Sequence, residues 1–252
     1  VPANIVLDLN GRNITQTSSV KDIAVIEVPA NKSFTLTDCH TDDNNGGETR
    51  TMGSVKHEYA NSQSGRGVVV KGNFTLYNGG ITTNNCSTNY PPERLYSGAG
   101  VYVDGGGSFT MYGGKVAENI AMNGAGVYVN KDGSAAMYGG KITGNKVGEG
   151  YGAGVYVGGG TFDMYGGSIS GNNQLGWNYN GDGGGVYINS GSFNLHDGTI
   201  TGNNGYWGGG VNLYNGAFNM EGGKISNNTA GRNGTGGGVY VYNGTFTMTG
   251  GE

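Results

Sequence analysis

Residues 236–250 read GGGVYVYNGTFTMTG, and closely similar wording recurs along most of the chain. Each unit reads approximately GxGVYV, a short turn, (S/T)FTMYGG, then (K/S/T)I(S/T)GN and a segment of variable length. Self-similarity at such a period indicates a repeat architecture. Aligned on their glycine-rich start, the units are separated by 25 to 33 residues and begin at Gly65, Gly98, Gly124, Gly152, Gly183, Gly208 and Gly236.

The composition favours a packed protein and limits its partners. The 252 residues include 55 Gly, which without pattern would suggest disorder, but the 17 Tyr and the regularly spaced Val, Ile, Phe and Met indicate a core. The net charge of -4 provides no general attraction to nucleic acid or to an anionic membrane surface. No apolar run reaches the roughly 18 residues of a membrane span. We therefore expect no nucleic-acid partner and no membrane insertion.

Three short strands are predicted in every repeat. Alternation in GVYV places both valines on one face and the tyrosine on the other, and FTMY places Phe and Met on the inner face in the same way. The isoleucine that follows supplies a third wall. Such a coil cannot bury its apolar face alone and must stack on its neighbours. The sequence thus predicts an all-β solenoid of about seven full coils, with a partial coil at each end.

Stacking predicts interior columns of like residues. In the first of these columns Ala135 is the one small residue, so an adjacent side chain must fill the volume beside it or a cavity remains. The first column is Phe74, Phe109, Ala135, Phe162, Phe193, Phe218 and Phe246. The second is Leu76, Met111, Met137, Met164, Leu195, Met220 and Met248.

An asparagine follows the Ile or Val of the third strand at a constant offset of three residues. A side chain with both donor and acceptor can bond the backbone of the corner and its counterpart in the next coil, which predicts an internal asparagine ladder. The alternative is that Asn is simply a common turn residue, but the constant offset favours the ladder. Its members are Asn84, Asn119, Asn145, Asn172, Asn203 and Asn228.

The amino-terminal part matches the repeat more loosely. LDLNGRNI at 7–14 aligns with FTMYGGKI, and AVIEV at 24–28 followed by SFTL at 33–36 aligns with the first two strands. We predict a single domain over 1–252, with irregular coils in 1–64, an insertion at 39–64 and regular repeats in 65–252. The chain starts at Val1 and its repeats stop in mid-coil, so we expect a fragment of a longer protein that carries further domains.

The repeat motifs GGGVYV, GTFTMTGG and ISGN resemble those of the right-handed parallel β-helices of the pectate-lyase-like superfamily. They are more closely similar to the glycine-rich repeats of large bacterial cell-surface and adhesin-like proteins. The resemblance covers about residues 5–252 and implies a single-stranded, right-handed parallel β-helix in an extracellular, cell-surface protein. It implies little about activity, because lyases, glycosidases and non-catalytic stalks share this fold.

The variable segments contain a group of aromatic residues. The segments 87–97, 146–151, 174–182, 205–207 and 229–235 follow the asparagine corner, so stacking brings them to one edge. Exposed aromatic rings among polar neighbours are suited to binding pyranose rings. The alternative is that the rings fold over the corner and shield the ladder. The candidate ligand-binding residues are Tyr90, Tyr96, Tyr151, Trp177, Tyr179, Tyr206 and Trp207.

A second aromatic group is the outward-facing column of the first strand. Rings in successive coils stabilise one another, so a structural ladder is favoured over a ligand platform. The column consists of Tyr102, Tyr128, Tyr156, Tyr187, Asn212 and Tyr240.

Candidate catalytic residues are His196, Glu221, Asp163 and Asp182. His196 and Glu221 replace the usual Tyr at one column position in adjacent coils, so we expect them to lie close enough to pair. Paired carboxylates or a base in a cleft would indicate an enzyme. Asp182 lies in a variable segment, whereas Asp163, His196 and Glu221 face outward on the neighbouring solvated wall. A surface role is therefore the competing interpretation, and the sequence does not decide for an enzyme.

The insertion at 39–64 contains the metal-ligand candidates Asp42, Asn44 and Glu48. Their alternation is typical of oxygen ligands in a calcium loop, although the spacing departs from the helix-loop-helix pattern. A solvated acidic loop without any cofactor is the alternative that we favour. His40 and His57 in the same insertion are a weak signal for another metal. Cys39 and Cys86 allow one disulfide or two thiols, and the sequence does not choose between them.

These features lead to two functional hypotheses. The first is an extracellular bacterial surface β-helix that acts as a rigid spacer or adhesin and binds glycans through its aromatic edge. The alternative is a polysaccharide lyase or glycoside hydrolase that acts on extended chains. Ice binding is disfavoured, because flat threonine rows are not matched by the mixed column Thr75, Thr110, Ala136, Asp163, Asn194, Asn219 and Thr247.

Overall fold

The computed structural model describes residues 4–17, 23–39, 52–57, 65–86, 97–148, 150–175 and 181–252. Over these residues the chain forms parallel strands and turns, and no helix. The fold is a parallel β-solenoid of about seven turns, as the repeat predicts. The described residues accordingly include no helical segment with the length and hydrophobicity of a membrane crossing.

The large sheet combines the first two walls of the solenoid. Two columns of strands run side by side, and two long strands that extend through both columns join them into one sheet of 15 strands. Its strands are Ile5–Asp8, Ile26–Val28, Ser33–Thr37, Val68–Val70, Asn73–Leu76, Val101–Val103, Ser108–Met111, Val127–Val129, Ser134–Met137, Val155–Met164, Val186–Leu195, Val211–Leu213, Ala217–Met220, Val239–Val241 and Thr245–Met248.

The second sheet forms the third wall and carries the isoleucine column. Its eight strands are Ile14–Gln16, Ser54–His57, Gly80–Thr82, Lys115–Ala117, Lys141–Thr143, Ser168–Ser170, Thr199–Thr201 and Lys224–Ser226. A third sheet was not predicted. Its five strands have two residues each and follow the asparagine corner: Ile120–Ala121, Lys146–Val147, Asn173–Gln174, Asn204–Gly205 and Thr229–Ala230.

The interior columns are confirmed from Phe74 to Phe218 and from Leu76 to Met220, whereas Phe246 and Met248 keep the register but are 37% and 51% exposed. Phe74 and Phe109 are stacked with ring centroids 5.4 Å apart, and Phe162 and Phe193 with centroids 5.3 Å apart. Ala135 pairs with Phe109 on one side and with Phe162 on the other, so it interrupts the ring stack while staying buried. Since these side chains are almost completely removed from water, their burial is the main source of stability along the rod.

The asparagine ladder is present and directional. Asn145 Nδ2 donates to Asn172 Oδ1 at 2.9 Å and to the carbonyl oxygen of Val116 in the preceding coil at 3.0 Å. Asn172 Oδ1 also accepts from the Asn145 amide at 3.0 Å. The pattern repeats from Asn84 to Asn228, so the side chains satisfy corner groups that have no partner in the sheets.

A glycine column explains the GxG wording of each repeat. A Cβ on Gly154 would lie 2.5 Å from the carbonyl oxygen of Gly185 and 2.9 Å from Asn172 Nδ2. Gly126 and Gly100 stand in equally close contact with the following coil. Glycine is therefore required here for the close approach of successive backbones, next to the asparagine ladder.

The amino-terminal register differs from the prediction by two residues. Leu7 pairs with Leu36 and Ile5 with Phe34, so Leu7 occupies the Met/Leu column instead of the Phe column. Ile14 does lie in the isoleucine column, where it pairs with Val55. The corner between these strands is two residues longer than in the repeats, and a shift of two preserves which side chains face inward.

The predicted insertion at 39–64 is also partly regular. Its residues Ser54–His57 form a strand of the second sheet, and Val55 is fully buried in the isoleucine column. Cys39 is an exposed free thiol and forms no disulfide with Cys86. Cys86 is buried in a small cluster with Ala99, Ala121 and other small residues.

Candidate functional site

Tyr151, Asp182 and Trp207 occupy the same corner position in three successive coils. The amide of Gly152 donates to the carbonyl oxygen of Asp182 at 2.9 Å, and that of Gly183 donates to the carbonyl oxygen of Trp207 at 2.9 Å. These bonds place the three residues in one column just before the first strand. We call Tyr151, Asp182 and Trp207 the corner triplet.

The two aromatic members of the corner triplet lie on the tyrosines of the following coils. The Tyr151 ring stacks on Tyr187 with centroids 4.7 Å apart, and the Trp207 ring stacks on Tyr240 at 5.9 Å. Both rings remain partly exposed, Tyr151 at 37% and Trp207 at 38%. Tyr206 packs against Trp207 in a tilted arrangement with centroids 5.0 Å apart. The rings are thus partly packed on neighbouring tyrosines and partly exposed to solvent. This arrangement lies between the two alternatives from the sequence, rings exposed for sugar binding and rings folded over the corner.

The tyrosine column of the first strand is a continuous ladder over four coils. Ring centroids are 5.2 Å apart for Tyr102 and Tyr128, 4.7 Å for Tyr128 and Tyr156, and 5.3 Å for Tyr156 and Tyr187. The guanidinium of Arg66 lies 4.5 Å from the Tyr102 ring centroid and closes that end of the ladder. Because each ring covers the face of the next, the ladder presents ring edges to its surroundings.

Burial also changes the ionisation of these phenols. Removal from water is the largest cause that raises the pKa of Tyr128, Tyr156 and Tyr187, and neighbouring phenols raise the pKa further. A phenol with a raised pKa stays protonated at neutral pH and can donate one hydrogen bond.

Asn212 interrupts the tyrosine ladder between Tyr187 and Tyr240. It is 1% exposed, and its Nδ2 donates to the carbonyl oxygen of Trp207 at 3.3 Å. Its Oδ1 is buried and has no hydrogen-bond partner in the part of the chain that the structure describes. Tyr214, which the sequence did not single out, stacks loosely on Tyr187 at 6.2 Å.

Asp182 is the most buried acidic member of the candidate site. Asp182 is 8% exposed, and its Oδ1 accepts one long hydrogen bond of 3.4 Å from the backbone amide of Trp207. Desolvation raises the pKa of the Asp182 carboxyl to about 6, with the Trp207 amide opposing the shift. A carboxyl with this pKa can exchange a proton near neutral pH or hold a cation.

His196 forms a separate group with Glu221 and Asp163. Its Nδ1 lies 2.8 Å from Glu221 Oε2, the pairing expected from their shared column position, and its Nε2 lies 3.9 Å from Asp163 Oδ1. The imidazole stacks on the Tyr165 ring with centroids 4.5 Å apart. Asp163 also accepts a hydrogen bond of 2.6 Å from Asn194.

This histidine group lies on an open wall. The side chains of His196 and Glu221 are 28% and 60% exposed, so water screens their interaction. Tyr165 belongs to an exposed second ladder, with centroids 4.8 to 5.1 Å apart, that contains Tyr77, Tyr112, Tyr138 and Tyr165. His196 therefore extends a row of stacked rings, and Asp182 lies in a different column, at the corner.

Several predicted site residues lie outside the described residues. These are the ligand-binding candidates Tyr90, Tyr96, Trp177 and Tyr179 and the metal candidates Asp42, Asn44 and Glu48. Within the described ranges, no three His, Cys, Asp or Glu side chains are grouped as metal ligands. His57 is buried with Nε2 3.1 Å from the carbonyl oxygen of Arg66, and burial lowers its pKa.

Comparison with known proteins adds no further assignment. No protein-family model, curated protein or solved structure matched the chain.

Proposed function

We propose that the protein is a rigid β-helical spacer or adhesin of a bacterial cell surface that binds glycans through the corner triplet and its neighbouring rings. The observation that carries the proposal is the pair of partly exposed rings, Tyr151 and Trp207, on either side of Asp182 in one column. Aromatic rings beside a hydrogen-bonding group provide the apolar and polar contacts that sugars require.

The rod itself supports the spacer part of the proposal. Its core columns and asparagine ladder continue from coil to coil, so bending would disturb many buried contacts at once. The extracellular, cell-surface location and the assignment to pectate-lyase-like or adhesin-like repeats rest on the resemblance of the repeat wording.

The stacking also limits how a sugar can bind. Rings inside a ladder expose edges, because their faces are covered at 4.7 to 5.3 Å. Trp207 lies outside the ladder: it is stacked on Tyr240 and packs against Tyr206 in a tilted arrangement, and it is 38% exposed. We therefore assign the main sugar contact to Trp207 and a flanking contact to Tyr151.

A glycan array followed by titration calorimetry tests this proposal. We expect binding to at least one glycan class, and a loss of about tenfold or more in affinity for Trp207→Ala, since truncating an aromatic anchor commonly costs over 1 kcal/mol. Tyr138→Ala, a change in the exposed ladder, serves as the matched control and should bind normally. Unchanged binding by a double Tyr151→Ala, Trp207→Ala variant would contradict the proposal.

The second candidate function is cleavage of an extended polysaccharide, by hydrolysis or elimination. One observation favours it: the Asp182 carboxyl has a pKa raised to about 6 and could serve as a general acid or base. Incubation with a polysaccharide panel, read by reducing ends and by the absorbance of unsaturated products, tests it. Product formation that is lost in Asp182→Asn but kept in Glu221→Gln would favour this candidate over a spacer.

A further inference from the structure

The described residues use only part of the hydrogen-bonding capacity of the Asp182 carboxylate, although the residue is 8% exposed. A carboxylate can accept about four hydrogen bonds, and among the described residues Asp182 accepts one, a long bond of 3.4 Å from the Trp207 amide. No Lys or Arg of the described residues lies within ion-pair distance of it, although such pairs occur elsewhere, as between Lys71 and Glu27. A buried charge without a counter-ion costs free energy, which an external cation could recover.

The surroundings of Asp182 suit an organic cation better than an anion. Tyr151 and Trp207 lie one coil below and one coil above it, and coils are spaced about 4.8 Å apart, so the two positions are separated by about 10 Å along the axis. Their partly exposed rings lower the local polarity beside the carboxylate. An ion pair with an ammonium group is stronger in such a setting than in open water.

We propose that the corner triplet recognises an amino sugar, with its protonated amino group bound to Asp182 and its ring flanked by Trp207 and Tyr151. This inference rests on the proposed glycan binding and specifies its ligand class. A uronic-acid polymer is disfavoured at the same place, because its carboxylates would face Asp182 in a protein of net charge -4.

The two oxygens of Asp182 have distinct roles in this arrangement. Oδ1 keeps its bond to the Trp207 amide, which holds the carboxylate in the column. Oδ2 accepts no hydrogen bond from a described residue and receives the ammonium. N-acetylation of the sugar removes the positive charge and adds bulk, so the acetylated form loses the ion pair while it can still contact the rings.

Titration calorimetry with a glucosamine tetrasaccharide and with its fully N-acetylated counterpart tests the inference. We expect the amino form to bind at least about tenfold more tightly, the size of effect that a charge-assisted hydrogen bond supplies. Asp182→Asn retains the shape and the bond to the Trp207 amide, and it should remove this preference. Asp132→Asn, an exposed site with the same change of charge, is the matched control and should keep it.

The outcomes separate this inference from the function on which it rests. Equal affinity for the two tetrasaccharides, or a preference that survives in Asp182→Asn, would overturn the amino-sugar assignment and leave glycan binding intact. Equal binding of a lysine-rich peptide would also overturn it, since the site would then select ammonium groups without a sugar. If no glycan of a broad array binds, both the inference and the proposed function fail.

Discussion

The side chain of Asn172 accepts two hydrogen bonds from Asn145, one from its amide at 3.0 Å and one from its Nδ2 at 2.9 Å. Asn172 also donates to Asn203 Oδ1 and to the carbonyl oxygen of Ile142, both at 3.0 Å. One fully buried side chain thereby connects three coils. The side-chain amide of Asn172 is completely buried, so water cannot replace a hydrogen-bond partner that a substitution removes.

Replacement of Asn172 by Ala is expected to lower the free energy of unfolding by about 2–4 kcal/mol, because buried partners in both neighbouring coils lose their bonds. Asn172→Asp should lower the free energy of unfolding more than Asn172→Ala at neutral pH, since a carboxylate cannot donate to Asn203. Chemical denaturation measures both changes. Asn243→Ala removes an exposed bond of 2.9 Å to Asn215 and is the control, with an expected change under about 0.5 kcal/mol. Equal effects at the two sites would contradict the ladder's structural role.

The same Phe→Ala substitution can be compared at a buried and at an exposed position of the phenylalanine column. Phe162 is 1% exposed, whereas Phe246 in the same column is 37% exposed. We expect Phe162→Ala to lower the free energy of unfolding by about 3–5 kcal/mol and Phe246→Ala by less than half of that, since burial sets the transfer and cavity costs. Urea denaturation followed by tyrosine fluorescence measures the difference. Similar losses at both positions would show that burial is not the controlling quantity.

The glycine column predicts a strong effect from a single methyl group. Gly154→Ala places its Cβ 2.5 Å from the Gly185 carbonyl oxygen, so the two backbones must separate. Gly148→Ala introduces the same methyl group where no atom lies within 4 Å. We expect the melting temperature to fall by several degrees in Gly154→Ala and to change by about one degree or less in Gly148→Ala. A Gly154→Ala variant as stable as the wild type would mean that the coils are not this closely packed.

The buried Asp182 carboxyl predicts a pH-dependent stability. Its pKa rises from the ordinary value of 3.8 to about 6 in the folded protein, so between these values the folded state binds more protons than the unfolded state. The contribution of Asp182 to stability therefore falls as pH rises through this window and is fully unfavourable above pH 6. Among the described residues, Tyr151 and Tyr187 are titratable groups that interact with it, and both phenols are neutral in this range.

Asp182→Asn removes this cost of ionisation. We expect the variant to melt at a higher temperature than the wild type near pH 7.5 and at nearly the same temperature near pH 4, where the wild-type carboxyl is protonated. Differential scanning calorimetry at the two pH values measures the effect, with Asp132→Asn as the exposed control. A difference that is the same at both pH values would contradict a raised pKa for Asp182.

The His196–Glu221 pair should contribute little to stability. The contact of 2.8 Å is short, but the Glu221 side chain is 60% exposed and solvent weakens the interaction. We expect Glu221→Gln to change the free energy of unfolding by at most about 1 kcal/mol, as for most exposed ion pairs. Equilibrium denaturation at pH 6 and pH 8 measures it. A loss of several kcal/mol would indicate that the pair stabilises the wall in a way its exposure does not suggest.

Much of the fold follows from the sequence because stacking repeats the same requirement in every coil. Phe162 and Asn172 could be assigned to columns because their counterparts recur at fixed offsets, and each column is confirmed. The position of Leu7 was wrong by two residues, since a single irregular corner has no repeat to correct its length. The third sheet was not predicted, because strands of two residues are too short to show a hydrophobic periodicity.

The candidate site was less predictable than the fold. Tyr151, Asp182 and Trp207 were placed on one edge through the stacked segments, but their contacts with Tyr187 and Tyr240 depend on side-chain directions that the spacing does not specify. The pairing of His196 with Glu221 was predictable because both residues break the same column. Asn212 was placed in the tyrosine column, but its buried, unsatisfied Oδ1 could not be anticipated.

The asparagine ladder gives the rod an electrical polarity. Every side-chain carbonyl from Asn119 to Asn228 accepts from the preceding coil, so the amide dipoles are aligned along the axis and add up as peptide dipoles do in a helix. The row begins at Asn84, whose buried Oδ1 has no donor among the described residues, and this end carries the partial negative charge. The Asn228 end carries the partial positive charge. The two ends of the solenoid therefore differ in potential independently of their ionisable side chains.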